Sequence, residues 1–92
     1  MIEDNPTHDQ RVMLGNLLHD ALIEIRHLGW NGMGQQAADL ADAVENIPTE
    51  LFGVGVFQWF QLRLLLQGYQ KKYEQENGTD YVSRLDRIRR SV

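Results

Sequence analysis

Between Val54 and Asn77 the chain reads VGVFQWFQLRLLLQGYQKKYEQEN, and no other stretch constrains the fold as much. At about 100° per residue, Trp59, Leu62, Leu65, Leu66, Tyr69 and Tyr73 fall on one broad apolar face of a helix. Phe57, Phe60 and Leu64 make a shorter apolar face on nearly the opposite side. Arg63, Gln67, Gln70 and Glu74 form a polar stripe between the two. A helix that is apolar on two sides is normally buried on two sides. Every other segment therefore has to be read for what it can lay against this one.

The chain has 92 residues, room for one domain and one core. With 42% hydrophobic and 24% charged residues it has the composition of a globular chain rather than a disordered one. There is no cysteine, which removes disulfides, thiolate catalysis and cysteine-ligated zinc or iron–sulfur clusters. Met1–Asp9 is polar and acidic, unlike a signal peptide, and together these features predict a cytoplasmic protein. No membrane span is expected, because Gln58, Gln61, Arg63 and Gln67 interrupt the apolar run of the long helix.

The net charge of −4 conceals an asymmetry. Residues 1–50 carry nine acids and two bases, a net −7, whereas residues 51–92 carry seven bases and four acids, a net +3. The simpler reading is that the basic end folds back against acidic helices. The competing one is that it serves an external anion.

In chain order, residues 1–6 read as a frayed tail. Two caps then compete for the first helix: Asn5 with Pro6 in the first turn, or Thr7 with Gln10 in a capping box. Leu14, Leu17, Leu18, Ala21, Leu22, Ile25 and Leu28 give that helix, over 7–28, a continuous apolar face. Gly15 lies inside it at a cost of about 1 kcal/mol against alanine, which suggests a close helix contact. Gly29 is expected to end it, with Trp30 packing back near Ile25. A second helix over 35–47 turns Ala37, Leu40, Ala41, Val44 and Ile47 inward and Gln35, Asp39, Asp42 and Asn46 outward. Pro48 stops it. Thr49–Gly55 reads as a turn that drops Leu51 and Phe52 onto the core. The long helix follows over 55–77, ending at Asn77-Gly78, and Asp80 caps a short basic helix over 80–91. No period-two alternation is sustained anywhere.

Four groups of residues carry side chains of the kinds that chemistry uses. Asp20, Glu24 and His27 share one side of the first helix, and Glu24-x-x-His27 has the spacing of carboxylate-bridged metal sites in helical bundles. Such sites need a second Glu-x-x-His and further glutamates, so a solvated acidic stripe is the preferred reading and no metal is assigned. The run Ala38-Asp39-Leu40-Ala41-Asp42 resembles the second motif of all-α nucleotide pyrophosphatases, which hold magnesium with paired acids on adjacent helices. The resemblance covers five residues, and their first motif is absent here. Ser83 and Ser91 have no glycine elbow and no histidine placed beside them, so no catalytic residue and no cofactor is assigned. Arg84, Arg87, Arg89 and Arg90 surround the stripe of Tyr81, Leu85, Ile88 and Val92 and are the candidate anion contact. An acidic chain without a helix-turn-helix pattern argues against nucleic acid, and Asp86 among the bases argues against a membrane surface.

The predicted fold is all-α: a small antiparallel three-helix bundle with a short C-terminal fourth helix. In it the face of Trp59 and Tyr73 joins the core, which leaves Phe57, Phe60 and Leu64 as an interface. The function expected is a non-enzymatic protein–protein interaction module, an adaptor, inhibitor or small subunit, self-associating through that second face. The alternatives are a small metal-dependent nucleotide-handling enzyme using the acids of the first two helices, or an accessory nucleic-acid binder using the C-terminal arginines.

Overall fold

The computed structural model describes residues 5–45, 47, 58–73 and 80–91. Within them the chain forms four helices and no strand: α1 (His8–Trp30), α2 (Gly34–Val44), α3 (Trp59–Tyr73) and α4 (Tyr81–Arg90). The expected turn at Thr49–Gly55, the ends of the long helix at 55 and 77, the Asn77-Gly78 stop, Phe57 and Val92 lie outside the described residues.

Packing closes the helices into a ring. α1 lies against α2 and α4, and α3 lies against the same two. Each helix contributes to one core: Leu14, Leu17 and Ala21 from α1, Leu40, Ala43 and Val44 from α2, Trp59, Leu62, Leu66 and Tyr69 from α3, and Tyr81, Leu85 and Ile88 from α4. The fourth helix is short, yet it forms a full wall. Tyr81 and Leu85 are among the most deeply buried side chains of the molecule.

Local chemistry explains the ends of α1. Thr7 is its cap: its hydroxyl accepts from the Gln10 amide at 3.2 Å, and the Gln10 side-chain oxygen accepts from the Thr7 amide at 2.7 Å. That is the capping box, and it prevails over Asn5. Pro6, expected in a frayed tail, is buried instead. At the other end, Gly29 does not stop the helix. α1 continues through Trp30, and Gly32 takes the positive φ, at 76°. The Met33 amide donates to the Leu28 carbonyl at 2.8 Å and the Gly32 amide to the Gly29 carbonyl at 3.2 Å, the paired bonds of a Schellman stop. Trp30 therefore points outward at 72% exposure rather than packing on Ile25. It leans on its own last turn, 5.6 Å from the His27 ring and 5.4 Å from the Arg26 guanidinium.

Three further expectations are corrected. Leu22 and Leu65, assigned to core faces by periodicity, are exposed at 54% and 38%. Both sit at the edge of the arc that their helix turns toward its two neighbours, and a ring covers only that arc. Gly15 marks no close contact, because a Cβ built there would meet nothing within 4 Å.

One side chain joins the two ends of the described chain. The Gln10 amide nitrogen donates to the carbonyls of Ile88, Arg89 and Ser91 at 3.1, 3.2 and 2.8 Å. It thus satisfies last-turn acceptors of α4 while its oxygen caps α1. Gln10→Ala should cost about 1–3 kcal/mol, since it strands last-turn carbonyls of α4, the Ile88 one buried, and removes a capping bond of α1. For a domain of this size the melting temperature should fall by about 4–8 °C per kcal/mol, read by circular dichroism. An unchanged melt would show that the α1–α4 seam does not depend on it.

Candidate functional site

The acids of α1 and α2 do not form a shared centre. Glu24, expected on a solvated stripe, is half-buried and turned toward α3 and α4. Its carboxylate accepts from the Tyr81 hydroxyl at 2.5 Å and from the Tyr69 hydroxyl at 3.2 Å. The Gln36 amide of α2 donates to the Tyr69 oxygen at 3.1 Å, so all four helices meet around one carboxylate. Burial, and then the nearby carboxylate, holds the Tyr81 hydroxyl well above the usual phenol range. Burial likewise pushes Tyr69 up to about 12. These phenols stay protonated and act as donors. They are not proton shuttles near neutral pH.

Asp20 leaves this group for Arg84 of α4, whose guanidinium donates to it at 2.7 Å. Asp39, expected to face outward, lies on the flank of α2 next to α3. It accepts from the Lys72 ammonium at 2.9 Å, from the Gln35 amide at 2.9 Å and, in a short bond, from the Tyr73 hydroxyl. Lys72 first and Tyr73 second hold its carboxyl at about 2, well below the ordinary carboxylate range. Asp42 is exposed, as is His27. Among the described residues no three His, Asp or Glu side chains are placed to hold a metal ion.

The four arginines are dispersed in the same way. Arg84 is tied to Asp20, Arg89 places its guanidinium 5.8 Å from the Trp59 ring, and Arg87 and Arg90 are exposed. Two of the charge pairs, Arg84–Asp20 and Lys72–Asp39, join the basic end to the acidic helices. A third, Arg63 to Asp86 at 2.9 and 3.2 Å, holds α3 to α4 by both carboxylate oxygens. Gln70 works on the same seam: its oxygen accepts from the Val82 amide at 2.9 Å and its nitrogen donates to Asp80 at 3.1 Å. The polar stripe read from the sequence is thus partly a helix–helix seam.

The sequence pattern does not place Tyr69 and Tyr81 on Glu24, and it places Gln10 only in the capping box with Thr7, not on the end of α4. The available signal was the choice of tyrosine over phenylalanine at a core position, because a buried hydroxyl requires an acceptor.

Among the described residues, the outer side of α3 is one stretch left open on the surface. Trp59 is 4% exposed on the core side, whereas Phe60 is 69% and Leu64 50% exposed on the other, with Leu65 beside them. Every exposed residue from 58 to 68 (Gln58, Phe60, Gln61, Leu64, Leu65, Gln67 and Gly68) is uncharged. Trp30 and Met33 are also exposed, but at a corner that carries Arg26 and His27. No described helix is long and apolar enough to cross a membrane. No protein family, curated protein or solved structure matches this chain.

Two measurements check this account of the acids. Millimolar magnesium, manganese or zinc should leave the melting temperature unchanged, because Glu24, Asp20 and Asp39 already have partners. A site filled at 100 times its dissociation constant would add about 2.7 kcal/mol. In a domain this small that would raise the melt by more than about ten degrees. Such a rise, lost in Asp39→Asn, would restore the metal-enzyme reading. The second measurement follows pH. Asp39 titrates lower in the folded chain than in the unfolded one, so its contribution is complete above the unfolded value near 3.8 and fades as pH falls toward about 2. Wild type should therefore melt above Asp39→Asn at pH 5–7, and the gap should narrow below pH 4.

Proposed function

We propose that this protein is a non-enzymatic interaction module, an adaptor, inhibitor or small subunit that docks through the outer face of α3. The observation that carries this reading is the pairing of two opposite faces on one helix. Trp59, Leu62, Leu66 and Tyr69 are buried in the core, while Phe60 and Leu64 are exposed on the opposite side, with Leu65 partly exposed at the edge between them. Single exposed apolar residues are ordinary, but a contiguous apolar patch without charge has the composition of an interface centre. Phe57, expected on this face, lies outside the described residues.

Neither alternative draws comparable support. Glu24, Asp20 and Asp39 hold helices together through tyrosine, arginine and lysine, and among the described residues no group of acids is placed to hold a metal ion for a nucleotide. A nucleic-acid reading would rest on exposed Arg87 and Arg90, since Arg84 is committed to Asp20.

Paired substitutions test the two faces. Phe60→Glu should leave a folded, soluble chain with its helix content intact, while removing whatever association the wild type shows. Trp59→Glu should unfold the protein, since an unpaired charge in a core costs several kcal/mol against a total stability of about 5–10. Circular dichroism and sedimentation read both. If Phe60→Glu unfolds the chain at every concentration, the outer face is core and the docking reading falls.

A further inference from the structure

Gly68, like Gly15 of α1, is a helix-interior glycine that no described neighbour explains, and it differs in lying on an apolar outer face. It lies in the interior of α3, and Gly32 alone among the described glycines takes a positive φ. A Cβ built on Gly68 would meet nothing within 4 Å, so no described neighbour requires its absence. Glycine in a helix interior nevertheless weakens the helix relative to alanine. The position lies on the outer face, at a step of four from Leu64, which is itself a step of four from Phe60. The three form one ridge with a large ring at one end, a leucine in the middle and a notch at the other.

That ridge is its own complement. A two-fold axis through Leu64 and perpendicular to α3 exchanges residues equally spaced on either side, so it brings Phe60 of one copy onto Gly68 of the other. Each ring and each notch lie about 6 Å along the helix from Leu64, so both pairs form at once. Charge favours the same arrangement. Phe60, Leu64 and Gly68 carry no charge, and Arg63 in the same span is paired with Asp86, so the ridge does not repel itself. Exposed Lys71, one turn beyond Gly68, would meet its own copy if the helices ran parallel. Antiparallel, the two Lys71 positions fall about 20 Å apart along the axis, beyond a Debye length of about 8 Å at physiological salt.

We propose that α3 pairs with α3 of a second copy of this chain, antiparallel about Leu64, with each Phe60 ring seated in the notch at Gly68 of the other copy. This rests on the outer face of α3 being the docking surface, and it names the partner and the register. Leu65 packs alongside, and the ridge closes over the two-fold axis at Leu64. The face of one helix is smaller than the roughly 800 Å² per partner of a standard interface, so the dimer forms and dissociates reversibly with concentration.

The test is mass in solution for the full-length chain, from low micromolar to near-millimolar concentration, by sedimentation and native mass spectrometry. The wild type should pass from one chain to two. Gly68→Ala should separate two effects: the melt at low concentration rises because the helix is stronger, while the dimer weakens about tenfold or more because the notch is filled. Phe60→Glu and Gly68→Arg should each remain single chains. Mixed in equal amounts they should recover a dimer containing one of each, because this register alone brings residue 60 of one onto residue 68 of the other. A wild type that stays one chain throughout overturns self-pairing, as does a dimer that Gly68→Ala tightens. A wild-type dimer without recovery in the mixture overturns the register. None of these results is the unfolding of Phe60→Glu, which is the outcome that removes the docking surface itself.

Discussion

The Glu24 carboxylate is the junction on which the arrangement of the four helices depends. A half-buried carboxylate is costly unless its oxygens are satisfied, and here the donors are Tyr81 and Tyr69, from helices that follow it by more than forty residues. The dependence is mutual. Tyr81 is fully buried, and its hydroxyl has to find an acceptor within reach of α1. Hydrophobic packing alone would tolerate α4 at several positions along its groove. One bond of defined direction selects among them.

Around that junction the ring is closed by polar contacts at its seams. Gln10 fastens the start of α1 to the end of α4, Arg63 and Gln70 fasten α3 to α4, and Asp39 gathers Lys72 and Tyr73 of α3 onto α2. Exposed ion pairs contribute little individually, so the stability rests on the core. Their effect is on register: each pair favours the relative position of the two helices it joins. The same contacts account for the surface that is left. Glu24, Asp20, Asp39 and Arg84 are drawn into seams, and Phe60 and Leu64 stay exposed on the outer side of α3.

How much of this was legible follows from what each feature depends on. The capping box at Thr7 and Gln10 and the cap at Asp80 involve residues three apart, so the sequence shows them directly. The two faces of α3 were equally legible, because a regular helix turns each residue by a known angle. The same regularity misled at Leu22 and Leu65. Periodicity marks where apolar residues point, but the width of the buried arc depends on how many neighbours a helix has. Trp30 was misread because two glycines, Gly29 and Gly32, compete to end α1, and only the geometry of the stop decides between them.

The amino-acid sequence by itself determined the helical class, the starting caps of α1 and α4 and most of the inward stripe of each helix, since these depend on neighbours within about four residues. The tertiary structure alone decided which acid meets which base. Glu24 lies 57 residues before Tyr81, Asp20 lies 64 before Arg84, and Gln10 lies 81 before Ser91. Nothing local encodes such pairs. They form when four helices close around one core, and the closure turns a set of acids that resembled a site into the joints of a bundle.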